Sequence, residues 1–114
     1  MPHFIVDCSE TVFTEQSEEL ILEQVHSVAH STGLFDESDI KVRVNPFKTY
    51  SVGNQKEDFI HVFAYIMEGR STEQKADLSK RVVQRLASLF PMVSKIAMNV
   101  YDFEKATYCN RDML

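Results

Sequence analysis

A strand, a capped helix and a second strand occur twice along this chain, and that repetition limits the folds open to it. The first unit begins at Pro2–Cys8, where Phe4, Val6 and Cys8 fall on one face of a strand and His3, Ile5 and Asp7 on the other. A polar stretch follows and ends in Thr14-Glu15-Gln16. Thr14 is placed as an N-cap, with acidic residues early, where a helix dipole favours them. The helix is expected to run to about Ser31, with Ile21, Leu22, Val25, Val28 and Ala29 on its apolar face and Gly33 as its stop. The second strand is predicted at Ile40–Val44. Ile40, Val42 and Val44 alternate with Lys41 and Arg43, and Asn45-Pro46 bends or ends it.

The stretch 47–58 is polar and reads as an extended arm or hairpin. The third strand, 59–67, is almost continuously apolar, a pattern that implies burial on both faces. Ser71 and Gln74 have the spacing of a capping box that opens the second helix. Leu78, Val82, Leu86, Leu89 and Val93 recur at helical spacing, and Pro91 is expected to end or kink the last turn. The fourth strand is predicted at 96–103, before a polar tail.

The 114 residues suit one domain over 1–114, made of βαβ halves at about 1–55 and 57–110. Each crossover is expected to be right-handed, which sets its helix on one face of a shared sheet and gives an α+β architecture. Two helices cover only one face of four strands. The third strand needs cover on the other face too, and a second copy of the chain is the simplest source. Composition narrows the partners. Twelve Lys and Arg against 17 Asp and Glu leave a net charge of -5, which argues against nucleic acid as the main partner. No apolar run approaches the ~20 residues of a membrane span. The first residues lack a signal-peptide pattern, since Asp7 interrupts the first apolar stretch. Cys8 and Cys109 form no metal-ligand spacing, so free thiols in a reducing cytoplasm are expected.

Pro2 is the leading candidate for chemistry. Removal of Met1 would give it a secondary amine on a rigid ring at the head of a buried-looking strand. A general base works best with a pKa near ambient pH. An α-amino group titrates near ~8, and burial or nearby cations lower it. Small residues are also common after an initiator methionine, so the motif alone is weak. Arg70 stands between the third strand and the second helix, where anions bind favourably. Lys41 and Arg43 share one face of the second strand, and Arg suits bidentate carboxylate binding. These cations also read as ordinary solvated surface. His26 and His30 have the i, i+4 spacing of a metal pair but no third ligand, and surface positions fit them better. His61 reads as a core or interface residue. His3 reads as lining the site or facing an interface. Lys80, Arg81 and Arg85 form a solvated stripe. The sequence contains no P-loop, GxGxxG, GxSxG or HExxH motif.

The opening Met1-Pro2-His3-Phe4-Ile5-Val6-Asp7-Cys8-Ser9 resembles the 5-carboxymethyl-2-hydroxymuconate isomerase family of the tautomerase superfamily. Thr32-Gly33-Leu34-Phe35, Ile40-Lys41-Val42-Arg43-Val44 and Gly69-Arg70-Ser71 agree with it in order and spacing, and the resemblance covers about residues 2–103. It implies two βαβ units in a four-stranded mixed sheet with two helices on one face, three subunits packed through their sheets, and active sites near the subunit interfaces. It implies ketonisation of a dienol bearing several carboxylates, formed during bacterial breakdown of homoprotocatechuate. Pro2 would carry the proton from the 2-hydroxyl to C5. Arg70 would bind a carboxylate or stabilise dienolate charge, and Arg43 and Lys41 would bind the remaining carboxylates. Lys41 departs from an Arg-x-Arg pattern, and 47–58 departs as well. No metal or organic cofactor is needed, because such a shuttle requires only a base and charge stabilisation. Two other readings remain on the sequence: a tautomerase for another enol acid, and a non-catalytic trimeric binding protein of the same fold.

Overall fold

Four strands form one sheet in the order β2-β1-β3-β4, in a computed structural model that describes residues 1–14 and 16–114. They are β1 (His3–Ser9), β2 (Lys41–Phe47), β3 (Phe59–Met67) and β4 (Lys95–Phe103). β1 pairs parallel with β2, β3 pairs parallel with β4, and β1 meets β3 antiparallel. Helices α1 (Glu18–Ser31) and α2 (Thr72–Leu89) are the two crossovers. They pack on each other, α1 against β2 and α2 against β4.

Strand alternation creates the core. Phe4, Val6 and Cys8 of β1 and Ile60, Val62, Ala64 and Ile66 of β3 point toward the helices and are buried. They meet Ile21, Val25, Val28 and Ala29 of α1 and Leu78, Val82 and Leu86 of α2. The intervening residues of β3, from Phe59 to Met67, are only half-buried. Its apolar run therefore serves a covered face and an open one within this single chain.

Several boundaries differ from the sequence reading. Thr14 ends a 3₁₀ segment, Glu10–Thr14, and the cap of α1 is Ser17, whose hydroxyl accepts from the Leu20 amide at 3.2 Å. The early acids of α1 are Glu18 and Glu19, and Glu15 lies outside the described residues. Gly33 follows the C-terminal cap with φ +71°, a left-handed conformation suited to a helix stop. β2 runs on through Asn45-Pro46 to Phe47, because it is an edge strand paired with β1 alone and an edge tolerates a missing N–H. The capping box of α2 is present in both directions, at 3.1 Å from Gln74 to Ser71 and 2.9 Å back. α2 stops at Leu89, before Phe90-Pro91, so Val93 packs on the core from outside the helix. β1 and β4 are each displaced from the expected start by one residue. The arm closes on itself through a Val52–Gln55 bridge. The tail carries two short 3₁₀ turns, Lys105–Thr107 and Arg111–Met113. No described helix is long and apolar enough to cross a membrane.

The two cysteines are free and differ in environment. Burial, with the charges of Glu18, Asp7 and Asp58, pushes the Cys8 thiol up to about 12, whereas Cys109 is exposed. The thiolate is the reacting form. A chromogenic disulfide reagent at pH 8 should titrate one thiol per native chain rapidly, and both after denaturation. Rapid reaction of both in the native protein would contradict the buried placement of Cys8.

Candidate active site

Topology brings three chain segments to one end of the sheet. β2 is parallel to β1 with Lys41 opposite His3, so both strands start together. β3 is antiparallel to β1 with Tyr65 opposite His3, so β3 ends where β1 starts. Pro2 precedes β1 at that end, and Glu68-Gly69-Arg70 leaves β3 there. Gly69, at φ +117°, makes a turn that an L side chain rarely adopts, and this delivers Arg70 to the foot of α2.

Pro2 is fully buried, and its carbonyl accepts from the Lys41 amide at 3.1 Å. With Met1 in place its ring nitrogen is an amide. The Met1 α-amino group just outside it reports on the surroundings. It is held below its ordinary value of 8.0, first by burial, with Asp39 opposing and Lys41 and Arg70 adding to the depression. The Met1 amine thus meets partial desolvation and two cations, with Asp39 opposing them.

Arg70 is half-buried and firmly held. It donates through Nη1 to the Met67 carbonyl at 3.3 Å and through Nη2 to the Leu34 carbonyl. Its guanidinium lies 5.3 Å from the centre of the Phe35 ring, within cation–π range. Lys41 directs Nζ to the Asp39 carbonyl at 2.9 Å and to Met1 Sδ at 3.2 Å. Arg43 is exposed and lies two residue pairs further along β2, opposite Ile5, and its Nη1 reaches back to His3 Nδ1 at 3.1 Å. Thus Pro2, Arg70 and Lys41 gather at the strand ends, and Arg43 joins them through His3. These side chains supply several cationic donors around one amine position, an arrangement suited to a polycarboxylate undergoing proton transfer.

Phe35, which seats Arg70, and Asp39, which opposes the cations, were given no role by the sequence pattern. Both belong to the loop between α1 and β2. Thr32-Gly33-Leu34-Phe35 stood out there only as a matching stretch, without a chemical signature of its own.

The other singled-out residues lie elsewhere. His26 pairs with Glu37 at 3.0 Å and stacks on His30. Among the described residues no group of three or more His, Cys, Asp or Glu is arranged to hold a metal ion. His61 lies 2.7 Å from the Asn99 side-chain oxygen on the open sheet face. Arg81 pairs with Asp77 at 2.9 Å, and Arg85 donates to Gln24. One concavity of about 190 Å³ lies at the far end of β1, lined by Thr11, Val12, Asp58 and Phe90 among others. A second, of about 270 Å³, lies between the helices beside Arg81 and Arg85. Neither includes Pro2, Lys41, Arg43 or Arg70.

Comparison with known proteins gives a consistent result. A family model described as 5-carboxymethyl-2-hydroxymuconate isomerase matches residues 2–109. A 5-carboxymethyl-2-hydroxymuconate Delta-isomerase from Escherichia coli is 26% identical over 106 residues, spanning 91% of this chain and 84% of that protein. The crystal structure of a 5-carboxymethyl-2-hydroxymuconate isomerase from Deinococcus radiodurans R1 superposes with a TM-score of 0.82 at 18% identity, covering 96% of this chain and 88% of that one. A fused 4-OT wild-type symmetric trimer superposes with a TM-score of 0.83 at 15% identity, covering 96% and 93%. At these identities the structural likeness shows the shared tautomerase fold.

Proposed function

We propose that this chain, which belongs to the 5-carboxymethyl-2-hydroxymuconate isomerase family, ketonises 5-carboxymethyl-2-hydroxymuconate without a cofactor, through the amine of Pro2. The observation that carries this reading is the fully buried Pro2 at the strand ends, beside the cations of Lys41 and Arg70. Loss of Met1 frees the ring nitrogen as a secondary amine. Desolvation and nearby cations disfavour its protonated form, which favours the free base.

The base takes the proton of the 2-hydroxyl group, and the resulting dienolate spreads negative charge over the conjugated chain. The protonated amine then delivers that proton to C5. The C2–C3 and C4–C5 double bonds become one C3–C4 double bond and a C2 carbonyl, so atoms and charge balance. Arg70, already held by two backbone carbonyls, stabilises developing negative charge with its remaining N–H donors. Arg43 and Lys41 bind the other carboxylates.

The open sheet face supports assembly as a homotrimer. Ile5, Phe63, Tyr65 and Phe103 are only half-buried there and Tyr101 is 45% exposed, while a relative of the same fold is a symmetric trimer. Packing three such faces would cover that apolar surface and wall the cationic cluster. The place of the reaction is homoprotocatechuate breakdown in the cytoplasm, which suits two free thiols.

The test is an ultraviolet assay of 5-carboxymethyl-2-hydroxymuconate ketonisation on untagged protein of verified intact mass. Turnover by the Met-free species is expected. A Met-free protein without turnover would overturn this substrate in favour of another enol acid or a binding role.

A further inference from the structure

His3 lies between Lys41 on β2 and Tyr65 on β3 in one row of the sheet, on the face away from the helices. Its ring stands edge-on to Phe103, with centroids 5.8 Å apart. Its Nδ1 is 3.1 Å from Nη1 of Arg43. A guanidinium offers donors and no acceptor, and it does not deprotonate in proteins. The imidazole nitrogen that faces it must therefore accept, which leaves the ring proton on Nε2 and fixes the tautomer.

We propose that His3 is a positioning residue for Arg43, its Nδ1 lone pair holding the guanidinium so that the remaining N–H groups face a substrate carboxylate beside Pro2. This rests on the isomerase reading. The charge around His3 favours the role. Lys41 and Arg43 face it from β2, the chain's α-amino group lies at the strand head, and Tyr65 and Tyr101 continue its row on β3 and β4. Burial first, then Arg43, Lys41 and the amino group, hold the imidazole below its ordinary value of 6.5. At neutral pH the ring is therefore an acceptor for Arg43. Below its own pKa it becomes a second cation facing the first, and the contact is lost.

Two measurements on the Met-free assembled protein test this. The ¹⁵N spectrum of the His3 ring should show the Nε2–H tautomer at neutral pH. Arg43→Ala should raise the His3 pKa and mix the tautomers. In kinetics, His3→Phe keeps an aromatic ring against Phe103 but removes the acceptor. It should raise KM about tenfold with kcat little changed, as expected for a lost hydrogen bond to a charged group. His3→Gln supplies an amide oxygen that accepts and does not titrate. It should restore most of the affinity and abolish the rise of KM that the wild type shows at acid pH.

An Nδ1–H tautomer, or wild-type KM in His3→Phe, overturns the proposal while leaving the isomerase reading intact. If the Phe variant does not fold, the ring spectrum and the Gln pH profile decide. Absence of turnover in every form overturns the isomerase reading, and with it the substrate-positioning role, whatever the ring spectrum shows.

Discussion

Arg70→Ala is expected to lower kcat/KM by about 10²–10³-fold, the loss typical of one preorganised donor aimed at developing negative charge. The expectation follows from how Arg70 is held. Two of its N–H groups are committed to the Leu34 and Met67 carbonyls, and its guanidinium carbon lies over the Phe35 ring. Three donors remain, and their direction is set before substrate arrives. If they act on the dienolate, kcat falls more than KM rises; if they only anchor a ground-state carboxylate, KM carries the change. Arg70→Lys keeps the charge but cannot span both carbonyls, and should fall between wild type and Ala. Steady-state kinetics on the three proteins checks this order, with thermal melting as the control for fold. An Ala variant that folds and turns over as the wild type does would remove Arg70 from the mechanism.

Retention of Met1 should have a comparable or larger effect. An amide nitrogen has no basic lone pair, so Met1-bearing protein loses the whole contribution of general base catalysis, about 10²–10⁴-fold. Protein prepared with methionine aminopeptidase inhibited in the cell provides that species without a mutation. Pro2→Ala, processed normally, keeps an amine at the same place while losing the ring, and should retain more activity than the blocked protein. Comparing the two by intact mass and assay separates the need for an amine from the need for proline. Equal turnover by blocked and processed protein would sink the role of Pro2.

The fold was legible where local chemistry and tertiary packing agreed. The apolar run of β3 marked that strand to the residue, and the Ser71–Gln74 box marked the start of α2, though not its end. Errors came where a neighbour decided. Thr14 is a good cap in isolation, but the chain first makes a 3₁₀ turn that buries Val12, and Ser17 takes the cap. Pro46 reads as a strand breaker until β2 is known to be an edge. The site was legible as residue types without partners. Arg70 between a strand and a helix, and Lys41 and Arg43 on one strand face, are sequence features. Their convergence with Pro2 depends on the parallel β1–β2 and antiparallel β1–β3 registers. Phe35 beneath Arg70 and the contact of His3 with Arg43 carry no signature in spacing, since each joins residues about 35 to 40 positions apart through the fold.

The central claim is that the Pro2 amine is the base, and its own titration tests that most directly. Protein carrying ¹⁵N-labelled proline, with Met1 removed, would be followed by NMR across pH beside the pH dependence of kcat/KM. Burial, Lys41 and Arg70 lower the neighbouring Met1 amine and Asp39 only partly opposes them, so on this account the Pro2 amine should titrate below an ordinary prolyl amine. On this account the free amine is the active form, so kcat/KM should rise with pH through that same pKa. Coincidence of the two curves is the predicted result. An amine that titrates at or above the ordinary value, with full activity at pH values where it remains protonated, would contradict the account.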